Sequence, residues 1–222
     1  MEDSNLSYQD SLRIINDMIH KAKRSFHDTG IGAMLWGSII AFCSLVKLAE
    51  LRYGFKLPFD VYLLTLFALI PQIFITIRER RARKAKAYDD HFISFVWLAF
   101  GIGIFLLSHT LNVMFANWSP VWKEYEQLAG KEPAFKLSEY TASFFLLLYG
   151  LPTFITGATY SFKPMLYGGI FCWICCVVTV YTTVQVDLLL TALSAIAAWL
   201  IPGLLMKKAY DSAKTKAATE NV

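Results

Sequence analysis

Few residues in this chain are of types that do chemistry, and most of them sit in apolar surroundings. Cys172, Cys175 and Cys176 form a Cys-Trp-Ile-Cys-Cys run, with Cys43 far upstream. A Cys-x-x-Cys pair can ligate zinc or cycle between dithiol and disulfide. No second ligand pair and no neighbouring His accompanies it, so the pattern points to small apolar side chains packed in a helix embedded in lipid-facing sequence. Gln72 follows Pro71, His109 and Asn112 stand three apart, and Thr153, Thr156 and Tyr160 recur at helical spacing. Gln72, His109, Asn112, Thr153 and Thr156 could together line a polar path for a solute. The commoner use of such groups is as hydrogen bonds between helices, worth ~0.6 kcal/mol each on average. Coupled transport of protons or sodium calls for an Asp or Glu inside the membrane, and the sequence places almost no ionisable group at mid-depth. It contains no Gly-x-Ser-x-Gly, no His-Glu-x-x-His, no phosphate-binding loop and no acidic cluster for metal-dependent lipid chemistry. The reading is therefore of no enzyme, with no cofactor and no metal.

The elements that must hold these residues are long apolar blocks. Of 222 residues 56% are hydrophobic and 17% charged, against roughly 45–50% and about 25% in soluble domains. Soluble helices keep one polar face; here several blocks are apolar all round. Spans are expected at about 30–49, 59–77, 92–115, 140–162, 165–183 and 186–206, each near the ~20 residues that cross a ~30 Å hydrocarbon layer. The fold class is all-α, a polytopic bundle of six spans. The first 29 residues carry acids as well as bases and no apolar core, so no signal peptide is expected, and no lipidation box is seen.

Orientation follows from the bases. The segment before the first span, the loop after the second, the turn after the fourth and the tail at 207–222 together hold fifteen Lys and Arg; the opposite loops hold five. The positive-inside rule then puts both termini in the cytoplasm. Leu12, Ile15, Ile19, Ala22 and Phe26 share one helical face beside Arg13, Lys21, Lys23 and Arg24, which predicts an amphipathic helix over 1–29 at the interface, lying on lipid or on the protein's own loops. The run Arg78, Arg80, Arg81, Arg83, Lys84 and Lys86 is expected to continue the second span as a helix and to touch anionic headgroups, at ~1 kcal/mol per base; it could also dock a protein partner. A net charge of +4 needs no nucleic acid when its bases flank spans. The longest soluble piece is expected at 116–139, with Trp118, Trp122 and Tyr125 as an aromatic belt and Pro120 opening a short helix. Gly101-x-Gly103 reads as a site of close helix packing.

Met34-Leu35-Trp36-Gly37 in the first span is echoed by Met165-Leu166-Tyr167-Gly168 in the fifth, and Leu69-Ile70-Pro71 in the second by Leu200-Ile201-Pro202 in the sixth. Pro152 stands in the fourth. A proline in each even span frees backbone carbonyls that must be re-satisfied in lipid. Three kinked hairpins around a central cavity would suit a facilitator or channel. Shared low complexity of membrane spans is the alternative source of the match.

Met18-Ile19, Ala22-Lys23, Phe26 and Leu35-Trp36-Gly37, with Leu148-Tyr149-Gly150, Thr153-Phe154, Phe162-Lys163-Pro164, Gly168-Gly169, Cys172-Trp173 and Ile201-Pro202-Gly203, resemble a group of six-span membrane proteins of Bacteroidetes. The resemblance covers most of the chain and is weakest at 116–139. It implies a bacterial inner membrane and carries with it no activity, cofactor or catalytic residue. The function expected is a non-enzymatic membrane scaffold or sensor acting through its basic cytoplasmic face, with a small-solute facilitator or channel as the alternative.

Overall fold

The computed structural model describes residues 29–82, 88–131 and 137–219, and all regular structure in them is helical. Helix α1 spans Ile31–Tyr53 and α2 spans Leu64–Ala82, entered through a 3-10 turn at Val61–Leu63. Helix α3 spans Tyr88–Ala129, α4 spans Thr141–Thr159 and α5 spans Lys163–Thr179. Helix α6, Val184–Ala195, passes through a π-helical turn at Ile196–Leu200 into α7, Ile201–Thr219, so the last three form one rod. The amphipathic helix expected over 1–29 lies outside the described residues except at its last position, and so do Arg83, Lys84 and Lys86 of the basic run.

Five of these helical stretches are long and apolar enough to cross a membrane; α5, with 17 residues, is apolar but shorter. The chain is therefore an all-helical, membrane-embedded protein. Its bundle has a near end, where α1 begins and α7 leaves, and a far end, where α1 stops, α4 starts and α5 turns into α6. The core lies between α1, α4, α5 and the α6–α7 rod, around Ile40, Leu146, Tyr149, Cys172, Ala195 and Trp199. Helices α2 and α3 stand outside it with Phe67, Phe74 and Phe105 open to the surroundings, as lipid-facing helices must.

The turns have local causes. Gly54 takes φ 71°, where a side chain is strained, and its N–H closes α1 on the Glu50 carbonyl. Asp60 accepts from the Tyr62 N–H and opens the turn into α2. Pro202 explains the π turn: it has no N–H, and its ring presses on the carbonyl of Ala198. The rod widens by one residue there, with Ile201 N–H reaching the Ile196 carbonyl.

That widened turn is held from two sides by glycines. A Cβ on Gly37 of α1 would lie 2.5 Å from the Leu200 nitrogen, and one on Gly168 of α5 would lie 2.6 Å from the Ala198 Cα. These are the matching glycines of the two Met-Leu-aromatic-Gly stretches. In a repeat of self-contained hairpins Gly37 would face α2; instead both glycines serve the same rod. Nearer the termini Gly203 sits against Met34 and the Gly30 carbonyl. The Gly101 and Gly103 positions differ from expectation: among the described residues nothing lies within 4 Å of a Cβ at either.

The segment 116–139 also differs. Helix α3 runs unbroken through Pro120 to Ala129 and ends at Gly130, with φ 63° and its N–H on the Glu126 carbonyl. At 42 residues it is ~63 Å long, more than the ~45 Å of a bilayer with its headgroups, so it projects well beyond the bundle.

Gly37→Ala is expected to lower stability in detergent by about 1–3 kcal/mol through overpacking of the π turn, whereas Gly101→Ala leaves the melting temperature unchanged or raised. Thermal unfolding of the purified variants checks the contrast.

Candidate functional site

The polar residues expected to line a path are drawn to tryptophans. Trp36 of α1 donates its indole N–H to Gln72 Oε1 of α2 at 3.1 Å. Trp97 of α3 donates to Thr156 Oγ1 of α4 at 3.1 Å, and Trp199 of the π turn donates to Thr153 Oγ1 of α4 at 2.8 Å. Each acceptor is itself anchored: Thr153 donates to the Tyr149 carbonyl, Thr156 to the Pro152 carbonyl, and Gln72 Nε2 to the side-chain hydroxyl of Thr76. A fourth indole, Trp173, donates to the Leu147 carbonyl at 3.3 Å, next to Leu148, whose carbonyl Pro152 deprives of its usual partner. Thr153 is wholly buried, and so are Pro152 and Pro202, while Pro71 faces outward on α2.

Aromatic rings from α3, α4 and the π turn meet around Trp199. Tyr149 and Trp199 lie 4.8 Å apart, and Phe100 meets each edge-on at 6.1 and 6.0 Å. Trp97 adds an edge-on contact to Phe100 at 5.5 Å. Such pairs contribute ~0.5–1.5 kcal/mol beyond the area they bury. Two concavities of about 330 and 550 Å³ lie at the far end, one beside Trp118, Trp122 and Ser138, the other beside Lys47, Lys56 and Asp60.

His109 and Asn112 do not join the threonines. Both are exposed on α3, with His109 stacked on Phe105 at 6.5 Å. Their depth follows from the ring contacts, which put Phe100 level with Tyr149. Thr141 opens α4 ~12 Å further toward the far end, and the same rise along α3 ends near Ser108. His109 and Asn112 thus stand at the rim, where headgroups and water can satisfy them. Of the basic run, Arg78 is exposed at the near end, where the neighbouring Glu79 accepts from Thr29 Oγ1; Arg80 and Arg81 lie within α2.

The cysteines turn inward rather than toward lipid. Cys43, Cys172 and Cys175 are buried, with the Cys43 thiol donating to the Val61 carbonyl, and Cys176 donating to the Ser143 carbonyl. Among the described residues no three His, Cys, Asp or Glu side chains gather as metal ligands do. At the far end Lys47 pairs with Glu50 at 2.8 Å, as their spacing predicts.

One residue escaped the sequence reading. Asp187, in the first turn of α6, is 2% exposed. Its Oδ1 accepts from Thr182 Oγ1 at 2.5 Å, and its Oδ2 is buried without a hydrogen-bond partner. The sequence places Asp187 at the start of the span expected at 186–206, without singling it out as a site. At the same end of the bundle Ser143 of α4 and Thr179 of α5 pair at 2.9 Å.

No protein-family model matches the chain, and neither does any curated protein or solved structure.

The Trp199–Thr153 bond should be measurable. A double-mutant cycle of Trp199→Phe and Thr153→Val is expected to give a coupling of about 0.6–1.7 kcal/mol in unfolding from detergent micelles. Additive losses would remove the bond from the account.

Proposed function

We propose that this chain is a six-span protein of a bacterial inner membrane with both termini in the cytoplasm, and that it works without catalysis as a scaffold or sensor. The resemblance to the Bacteroidetes group and the excess of bases at the near end support the placement. Helix α5 is counted as a crossing because it packs along α4 and turns at the far end into α6; its 17 residues reach ~25 Å, within a thinned or locally adapted bilayer.

One observation carries the choice of a scaffold over a solute path. Gln72, Thr153 and Thr156, which a path would need for its solute, are spent on indole N–H groups from other helices. What remains available for recognition is the cytoplasmic face. There the rod continues through exposed Lys207 and Lys208 as far as Thr219, and α2 continues past Arg78 to Ala82. Two helices that leave the bilayer with bases on them attract anionic headgroups at ~1 kcal/mol per base and offer a rigid surface to an acidic protein partner.

Native mass spectrometry after mild detergent extraction from the source cells tests this. A second polypeptide at fixed stoichiometry is expected. Its yield should fall several-fold at low salt when Lys207 and Lys208 are both changed to Gln. A chain that stays alone, or whose partner ignores both charge changes, contradicts the proposed docking face.

A further inference from the structure

Asp187 is the one carboxylate described here that the fold hides while leaving an oxygen with nothing to bind. A buried carboxylate without a full set of donors costs several kcal/mol, and an ionisable group enclosed by spans marks an ion or proton site by default. Its surroundings favour positive charge. Helix α5 ends at Thr179, one connecting turn before α6 and Asp187 in the chain, and the negative end of its dipole lies there, with the Val177 and Val178 carbonyls already accepting from the Val180 and Tyr181 N–H groups. Thr182, in the turn that follows, donates to Oδ1 and so orients the carboxylate. Glu139, ahead of α4, acts on Asp187 electrostatically with the same sign of charge. Opposing this, Asp187 stands in the first turn of α6, where the N-terminal dipole favours an anion. That dipole explains why an acid is tolerated but provides no donor for Oδ2. Other charges at this end are the Lys47–Glu50 pair, Asp60, engaged with the Tyr62 N–H, and Lys56, Lys123 and Glu126, which line the two concavities there.

The geometry points to a cation site at Asp187: Oδ2 takes up a monovalent cation, a proton or Na⁺, from the far face of the bundle. Thr182 orients the carboxylate that receives it, and the like charge of Glu139 favours its neutralisation. The site is independent of whether the cytoplasmic face docks a partner. It lies on the rod that runs through the π turn to the tail, so an occupant would change the charge state of the element that leaves the membrane.

The test is thermal unfolding of the full-length protein in detergent with two titrations. One lowers pH from 8 to 5 in choline chloride. The other replaces choline with Na⁺ at pH 8 and constant ionic strength. A ligand bound only by the folded state raises the melting temperature progressively once its concentration passes its dissociation constant, here by about 5 °C or more at a hundredfold excess. A rise on lowering pH identifies the proton and a rise on adding Na⁺ the metal ion; either supports the site if Asp187→Asn abolishes it. Asn is isosteric and keeps the acceptor for Thr182. A melting temperature that rises with pH, that is flat in both titrations, or that responds alike in the wild type and Asp187→Asn overturns the proposal. Should Asp187→Asn fail to fold, Glu139→Gln at the rim reads the same site. It must move the onset of the response to lower pH or higher Na⁺, and an unmoved onset overturns the proposal equally.

Discussion

Pro202 imposes the constraint on which the rest of the bundle depends. It removes one backbone donor from the longest buried rod and crowds the carbonyl of Ala198. The rod answers with a π turn, and a π turn is wide. Two neighbours fit against it only because each presents a glycine, Gly37 from α1 and Gly168 from α5. Widening also turns Trp199 toward α4, where its indole finds Thr153 and its ring finds Tyr149 and Phe100. One missing N–H thus organises four helices around a single level of the membrane.

In lipid this arrangement has a particular energetic logic. Apolar burial drives helix association weakly there, since lipid tails are as apolar as the core. Close approach of backbones and interhelical hydrogen bonds must do more. The bundle uses both: glycine contacts on the rod and between α4 and α5, where Gly169 meets the Phe154 backbone, and indole N–H groups aimed at hydroxyl, amide or carbonyl oxygens. Tryptophan suits the task because one side chain supplies a large ring and one directed donor. Helices α2 and α3 join by one such bond each to their neighbours, so they remain peripheral and lipid-covered.

Much of this was legible in the sequence. Apolar length gave the helical blocks and their rough limits, and the Lys47–Glu50 spacing gave their ion pair. The polar residues Gln72, Thr153 and Thr156 were recognisable as important, and interhelical bonding was the favoured use. Their partners were not legible, because pairing across helices depends on rotation and depth, which hydropathy does not encode. The α3 extension through Pro120 was missed because a proline flanked by polar residues reads as a helix start as readily as an interior position. Asp187 was missed for a related reason: it stands at the start of its expected span, and its burial depends on how the neighbouring helices pack, which hydropathy does not encode. The inward turn of Cys172 and Cys175 was likewise a matter of helix rotation.

The central claim is that Trp199 and the glycine-held π turn are close-packed against α1, α4 and α5 at the middle of the bundle. Amide hydrogen–deuterium exchange in lipid nanodiscs, followed by mass spectrometry of peptides covering the π turn Ile196–Leu200, tests it most directly. The account predicts protection persisting for hours across the turn, despite its departure from α-helical bonding. Exchange within seconds, while α1 and α4 stay protected, would show water reaching the turn and contradict the close packing.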